Sequence, residues 1–191
     1  MSKTPLITLF FLIGSSLYAD SRLPALAREQ IGVTIEYDPS YVSMTYPGGD
    51  VPMDRGVCTD VVIRALRQLH FDLQKEVHED MKKNFSAYPS RKLWGLTRTD
   101  KNIDHRRVAN LQTFFTRKGW SLPVSQKAED YHAGDLVTCL VAGRLPHIMI
   151  VSDRKNAQGV PYIIHNIGAG AVEEDDLFTY PLTGHYRPKL K

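Results

Sequence analysis

Cys58 is the residue of this chain whose type and setting best suit nucleophilic chemistry. It lies in the segment Asp-Arg-Gly-Val-Cys-Thr-Asp, residues 54–60, where the apolar pattern predicts the start of a helix. The positive end of a helix dipole favours the thiolate, which is the nucleophilic form of cysteine. This position fits the attacking atom of a cysteine hydrolase. It fits a buried core cysteine as well, because cysteine is among the most buried residue types.

Two histidines, His147 and His165, lie in predicted strands that are joined by a turn at residues 155–159. If the turn is centred on Asn156, antiparallel pairing places the two histidines directly opposite each other on one face of the sheet. A cysteine nucleophile needs a base, and the base needs a further polar group that fixes its tautomer. The pair would supply both groups. Together with Cys58 it would also suit a zinc ion, although the chain has no close-spaced H-E-x-x-H ligand pair.

The elements that must position these residues follow from the spacing of apolar side chains. A helix starting at Cys58 has its thiol on the apolar face, and further helices are predicted over residues 73–81 and from an N-cap at Asp104 to Gly119. Strands are predicted over residues 136–141, 147–151 and 162–165 as an antiparallel meander. The order of helices first and sheet second predicts an α+β fold.

The N-terminus has the pattern of an export signal. Lys3 precedes an apolar run over residues 5–13, and small residues lead to a predicted cleavage site after Ala19. The run is too short to span a bilayer of about 30 Å. Residues 1–19 are therefore predicted to be a signal peptide, and the mature protein to be periplasmic.

Composition limits what the mature chain, residues 20–191, can do. Loss of Lys3 with the signal lowers the formal net charge by one, from +3 to +2. That balance argues against nucleic-acid binding, and no segment after Ala19 predicts stable membrane insertion. The length suits a single domain, which we expect to be monomeric. The chain has two cysteines, and pairing of Cys58 with Cys139 in an oxidising compartment is left open.

Five segments resemble the DUF1287 family of exported bacterial proteins and, more broadly, the NlpC/P60 superfamily of papain-like cysteine hydrolases. They are Gly-Val-Cys-Thr-Asp at 56–60, Asn-Ile-Asp-His-Arg-Arg at 102–107, His-Ile at 147–148, His-Asn-Ile-Gly at 165–168 and Gly-His-Tyr-Arg at 184–187. The resemblance implies N-terminal helices, with the catalytic cysteine at a helix start packed on a C-terminal antiparallel sheet. It also marks a helical insertion over about residues 71–131.

The same resemblance implies a role for each candidate catalytic residue. Cys58 would be the nucleophile, His147 the base and His165 the orienting third member. Ordinary NlpC/P60 members have an Asp-Cys-Ser-Gly setting at the cysteine, whereas this chain has Val57-Cys58-Thr59-Asp60. The family pattern calls for no cofactor and no metal.

Three further residues are candidates for binding substrate. Arg106 and Arg107 lie at a predicted helix start, where the helix dipole does not favour them, and we expect one of them to bind a substrate carboxylate. Internal pairing of these arginines is the alternative. Asn166 is expected at the rim of the site.

These observations predict an exported thiol hydrolase that cleaves an amide bond. Peptidoglycan stem peptides are the expected substrate because of the compartment. A non-catalytic wall-binding module and a lipid acyl transferase that uses the same cysteine and histidines are the alternatives.

Overall fold

The computed structural model describes residues 19–190, so the predicted signal peptide lies outside the described residues except for Ala19. Five α-helices are present in this part of the chain: α1 (Leu23–Arg28), α2 (Cys58–Gln68), α3 (Leu73–Asn84), α4 (Ser90–Trp94) and α5 (Val108–Arg117). Short 3-10 helices occur at Phe85–Ala87, Asp104–Arg106 and Ala128–Asp130. No helix of the described residues is long and apolar enough to cross a membrane.

The main sheet has six antiparallel strands in the order β3-β8-β4-β5-β6-β7. These strands are β3 (Ser121–Leu122), β4 (Leu136–Val141), β5 (Leu145–Lys155), β6 (Pro161–Asn166), β7 (Ala171–Glu174) and β8 (Leu182–Tyr186). Two short parallel strands, β1 (Glu36–Tyr37) and β2 (Arg55–Gly56), form a separate pair just before α2. The predicted meander is β4-β5-β6, and the α+β class is confirmed at this level.

The sheet has an apolar layer on each face, which explains the nearly continuous apolar sequence of β5. One layer joins Ile148, Ile150 and Ile164 to helices α1, α2, α3 and α5. The other layer contains Val137, Cys139, Met149, Val151 and Ile163, and it is covered by the segment around Tyr131 and Leu177. Side chains alternate along β5 between these two layers.

Helix α2 lies in the middle of the first layer, where it contacts α1, α3, β5 and β6. Its residues from Cys58 to Leu66 are all buried, so the helix is enclosed rather than half exposed. Val61, Val62 and Leu66 fit this position. The buried charge on Arg64 needs partners, and it finds them in the loop that precedes the helix.

The predicted register between β5 and β6 was wrong by two residues. Ile150 pairs with Ile164 and Val151 with Ile163, and an irregularity separates these pairs from Lys155 and Pro161 near the turn. Because a shift of two residues preserves the face, His147 and His165 remain on one face but are diagonal rather than directly opposite.

The predicted helix start at Asp104 was also wrong. Residues Asp104–Arg106 form a 3-10 turn, and α5 begins at Val108 with Arg107 as its N-cap. The Asp104 carboxylate instead accepts the backbone N–H of Asp100 at 2.5 Å. At the other end of α5, Gly119 has φ +70°, the left-handed conformation that was predicted.

Candidate active site

Cys58 is the first residue of α2, and the loop before it is held by a buried arginine. The Arg64 guanidinium bonds the Asp50 carboxylate and donates to the carbonyls of Val51, Pro52 and Arg55 at 3.0–3.2 Å. These bonds fix the chain from residue 50 to β2 against the helix that carries the thiol. The site therefore rests on a rigid entry loop.

Asp60 fixes the first turn of α2 itself. Its Oδ2 accepts the backbone N–H of Val57 at 2.7 Å, as the N3 acid of a capping box does. Arg106 binds the same carboxylate through Nε at 3.0 Å and Nη2 at 2.9 Å. Gly56 leaves room for this contact, since a Cβ there would lie 3.0 Å from Asp60 Oδ2.

The Cys58 thiol is only 4% exposed, and two backbone N–H groups, those of Ile148 and Thr59, bond its sulfur. Burial raises the pKa of Cys58 to about 12, and the negative charge of Asp60 adds to that rise, while the two N–H groups oppose it. The expectation that the helix start favours the thiolate was therefore wrong for the free protein. At neutral pH the sulfur is held as a thiol.

The two histidines contact each other directly. His147 Nε2 lies 2.7 Å from His165 Nδ1, and the ring centroids are 4.9 Å apart. His165 Nε2 in turn lies 3.0 Å from Glu174 Oε2. Glu174 is on β7, and its side chain leaves the sheet on the same face as His165. The result is a buried relay of three side chains that ends in a partly exposed carboxylate.

This relay assigns the protons on both rings. Burial lowers the pKa of His147 to about 3 and lowers that of His165 as well, so both imidazoles are neutral at pH 7. A carboxylate only accepts hydrogen bonds, so the single proton of His165 is on Nε2 and its Nδ1 is an acceptor. His147 must then donate from Nε2. Its Nδ1 is left without a proton, as a general base requires.

The thiol and the relay lie on opposite faces of the sheet and are linked through two adjacent residues of β5, His147 and Ile148. Pairing of β5 with β6 begins at Ile150, and at Ile148 the backbone N–H donates to the Cys58 sulfur. His147, the preceding residue, pairs with Cys139 of β4 and projects on the face opposite α2. Among the described residues, no hydrogen bond joins the Cys58 sulfur to the His147 ring. Within the described residues the two histidines are thus in direct contact, whereas Cys58 and His147 are connected through the β5 backbone at residues 147–148.

The alternatives left open for these residues can be compared with this geometry. Cys58 and Cys139 are both free thiols, so the disulfide is absent in this structure. The direct contact of the two imidazoles occupies the nitrogens that would face a shared metal ion. Within residues 19–190 no group of three or more metal-ligating side chains is placed to hold a metal.

Two of the three predicted substrate-binding residues have other partners. Besides Asp60, Arg106 donates to the carbonyls of Ser40 and Asp38, and its side chain is 2% exposed. Asn166 is buried and donates to the carbonyls of Gly56 and Glu36. Both residues position the chain around Cys58, and neither side chain is available to a substrate.

Arg107 is the one of these three predicted residues whose side chain donates no hydrogen bond among the described residues. Its guanidinium stacks 4.0 Å from the ring centroid of Trp94. The nearest carboxylate oxygen, Asp104 Oδ1, is 3.8 Å away and so beyond hydrogen-bond distance. Trp94 and Val108, the residue after Arg107, line the cavity beside Cys58, so Arg107 lies next to the cavity without being one of its wall residues.

Sequence reasoning missed Glu174, Arg64 and Tyr37. Glu174 is one of two adjacent acids on a short strand, and only the pairing of β7 with β6 selects it. The helical position of Arg64 on a buried face was the one available signal for a structural ion pair. Tyr37 lines the cavity, and burial first of all raises its pKa to about 12, so its hydroxyl is protonated at pH 7.

Comparison with known proteins places the chain in a family. Residues 25–188 match the model of the domain of unknown function DUF1287. The chain is 58% identical over 165 residues to uncharacterized protein YijF of Escherichia coli (strain K12), an alignment that covers 86% of this chain and 80% of that protein. The range of the family match covers the positions of the first turn of α2 and of the Glu174–His165–His147 relay. This chain therefore belongs to the DUF1287 family.

Proposed function

We propose that the protein is an exported thiol hydrolase that cleaves an amide bond in peptidoglycan stem peptides. One observation carries the proposal: a carboxylate–imidazole–imidazole relay ends beside the backbone N–H that bonds the Cys58 sulfur. A relay of this kind fixes a neutral base with its lone pair free. Stabilising the fold does not require that arrangement.

In the first step, His147 Nδ1 takes the thiol proton as the Cys58 sulfur attacks the substrate carbonyl carbon. The neutral resting pair means that proton transfer accompanies attack, so no thiolate has to be stored in the buried site. Catalytic hydrogen bonds commonly tighten only when substrate is bound. The oxyanion that forms is stabilised by the backbone N–H of Cys58, which as the first residue of the helix has no helical acceptor.

In the second step, protonated His147 gives its proton to the leaving amine, and the carbon–nitrogen bond breaks to leave a thioester on Cys58. A water molecule, deprotonated by His147, then attacks the thioester. The carbon–sulfur bond breaks to release the acid, and His147 returns the proton to the Cys58 sulfur. His165 and Glu174 stabilise the imidazolium in each half of the cycle because the carboxylate lies at the end of the chain of rings.

The arrangement of elements supports the papain-like, NlpC/P60-type part of the proposal. A cysteine at the start of a central helix, packed on antiparallel strands that carry two histidines, is the order that the sequence resemblance implied. The proposed substrate and the periplasmic location rest on the predicted export signal, and peptidoglycan is the amide-rich polymer of that compartment.

Two other functions each have one supporting observation. The high pKa of the buried thiol favours a wall-binding module with an inert cysteine. The apolar lining of the cavity beside Cys58 favours acyl transfer from a lipid by the same residues. The relay has no role in the first of these functions. It serves the second equally well, and hydrolysis of a peptide amide is preferred over acyl transfer because peptidoglycan supplies such amides in the predicted compartment.

Digestion of purified peptidoglycan by the mature protein, followed by mass analysis of the fragments, tests the proposal. We expect new fragments that differ by addition of water across an amide bond. Cys58→Ala and His147→Ala should each lower the rate by at least about a hundredfold, since general-base catalysis alone contributes about 10²–10⁴-fold.

Cys139→Ala is the matched control because Cys139 is the other buried free thiol, and this variant should retain activity. Binding of peptidoglycan without any cleavage, unchanged in Cys58→Ala, would contradict the proposal and favour a binding module. Transfer of acyl groups from phospholipid vesicles with no peptide cleavage would favour the transferase.

A further inference from the structure

A cavity of about 260 Å³ lies against Cys58, and its walls are mostly apolar. The wall residues include Val57, Trp94, Ile103, Val108, Ala109 and Pro146. The volume is that of a small group, and an apolar wall favours an uncharged aliphatic one. A substrate of the Cys58 site must therefore place a small apolar substituent next to its scissile bond.

Arg106 and Arg107, two neighbouring arginines beside this cavity, differ in whether their guanidinium groups form hydrogen bonds. The Arg106 guanidinium bonds one carboxylate and two backbone carbonyls. The Arg107 guanidinium donates no hydrogen bond to any residue among those described, and its Nη1 is buried without a partner. Its side chain is 21% exposed, so the remaining donors reach solvent beside Trp94.

An arginine left in this state is costly, because a buried N–H without an acceptor loses its hydration and gains nothing in return. The carboxylate paired with it, Asp104, has its Oδ1 3.8 Å from Nη1, and this oxygen accepts no hydrogen bond. Asp100 adds a weaker attraction. Burial raises the pKa of Asp104 to about 6, which weakens it further as a counterion. Arg107 thus has a charge partner in Asp104 but no hydrogen-bond acceptor among the described residues, so its fork of donors remains open to a carboxylate.

We propose that Arg107, held flat against Trp94, is a carboxylate-binding subsite of the cleft, and that the substrate amide therefore joins a residue with a small apolar side chain and a free carboxylate close to the scissile bond. This inference rests on the proposed function and names its substrate class. It selects Arg107 from the two arginines that the sequence left as candidates.

The Arg107 guanidinium, stacked on the Trp94 ring, favours a carboxylate over other anions. A guanidinium fork matches the two oxygens of a carboxylate, and stacking on an aromatic ring fixes the plane of the fork in advance. Arg106, which lines the cavity, has its donors in use, so Arg107 beside Trp94 leaves a single positive charge for a substrate to balance. No side chain caps the start of α5, where Val108 and Ala109 line the cavity, so the helix end adds a favourable field.

Two alkylating reagents separate the subsite from the hydrolase reaction. N-bromoacetyl-alanine carries a free carboxylate, and N-bromoacetyl-alaninamide is its neutral counterpart. Each forms a sulfur–carbon bond with Cys58 as bromide leaves, so no amide need be cleaved. Labelling rates are measured at pH 8.5 by mass spectrometry in the Cys139→Ala background, and the acid-to-amide rate ratio is the readout.

We expect this ratio to fall about tenfold in Arg107→Gln, the factor that one charge-assisted hydrogen bond supplies. Arg107→Lys keeps the charge but loses the planar fork, and its ratio should be intermediate. Arg91→Gln, at an exposed position on α4, is the matched control and should behave like the parent. The lysine variant also provides the comparison if the glutamine variant does not fold.

An equal ratio in the parent and both Arg107 variants would overturn the subsite and leave the hydrolase proposal standing. Absence of Cys58 labelling by both reagents would overturn both proposals, because the cleft would then be closed to acyl amino acids. A ratio that depends on Arg107 together with failure to digest peptidoglycan would support the subsite and remove the wall polymer as substrate.

Discussion

At the scale of single residues, Glu174 is the group that fixes which ring nitrogens of the two histidines carry protons. A neutral histidine pair alone has two equivalent proton arrangements, one of which leaves His147 Nδ1 protonated and useless as a base. The carboxylate at 3.0 Å from His165 Nε2 selects the other arrangement. A partly exposed acid thus determines the state of a buried base two residues away in the relay.

Replacing Glu174 by Gln should lower kcat by about 10–100-fold, as loss of an orienting partner commonly does. KM should change little because Glu174 is separated from the cleft by both rings. Nitrogen-15 NMR of the histidine side chains supplies a readout that does not need turnover. The parent should show His147 as the Nε2–H tautomer, and Glu174→Gln should show a mixture.

Glu173→Gln is the control for that experiment. Glu173 is the neighbour of Glu174 but faces the other side of the sheet, where it pairs with Arg28 at 2.8 Å. Its replacement should affect stability rather than the His147 tautomer. An unchanged tautomer and an unchanged kcat in Glu174→Gln would show that the carboxylate does not direct the relay.

At the scale of elements, the start of α2 is held by a buried ion pair rather than by an ordinary cap. Asp60 bonds the N-cap backbone and the Arg106 guanidinium at once, and Arg106 links the helix to the 3-10 turn before α5 and to the loop at residues 38–40. Three segments distant in sequence meet at one guanidinium. This contact places Cys58 relative to the cavity.

Arg106→Gln should therefore lower the free energy of unfolding by about 3–5 kcal/mol, because it leaves the buried Asp60 charge without its partner. Arg107→Gln is the matched comparison, and it should cost less than about 1 kcal/mol, the size of one cation–π contact. Urea titrations followed by circular dichroism measure both. Similar losses for the two variants would contradict the assignment of a structural role to Arg106 and of none to Arg107.

At the scale of the whole molecule, the protein keeps several histidines neutral inside its core. Burial lowers the pKa of His105 and of His147 to about 3, and that of His165 is lowered too. In the unfolded chain each imidazole takes up a proton below about pH 6.5. Their contribution to stability is complete above that pH and is lost as the pH falls toward 3.

Asp104 acts in the opposite sense because its pKa is raised to about 6. Its carboxyl keeps a proton in the folded protein that the unfolded chain releases above about pH 3.9, so it stabilises the fold at low pH and ceases to do so as the pH rises. Three histidines against one aspartate leave a net loss on acidification. Each net proton is worth about 1.4 kcal/mol per pH unit.

The free energy of unfolding should therefore fall by at least about 1.4 kcal/mol per pH unit between pH 6 and pH 4. His105 and His147 against Asp104 give the unfolded chain an excess of about one proton, and His165 acts in the same direction. Urea titrations at pH 7, 6, 5 and 4 measure this dependence. His105→Phe, which removes one titrating group outside the relay, should reduce the slope by about one proton. A urea midpoint that stays constant from pH 7 to pH 5 would contradict the prediction.

Sequence patterns alone determined the local elements and the candidates. The apolar spacing after Cys58 predicted α2, the residues around Asn156 predicted the hairpin, and Gly119 predicted the end of α5, because each depends on short-range geometry. The type of chemistry also followed from residue identity, since a cysteine at a helix start and two histidines on one strand face suggest few reactions.

Only the tertiary structure decided which residues work together. The pairing of β7 with β6 brought Glu174 to His165, burial held Cys58 as a thiol, and the long-range bonds to Asp60 and Ser40 separated Arg106 from Arg107. Each of these outcomes depends on contacts between residues far apart in the chain and on exclusion of water. None of the three outcomes follows from local spacing, because desolvation and long-range pairing are properties of the assembled core.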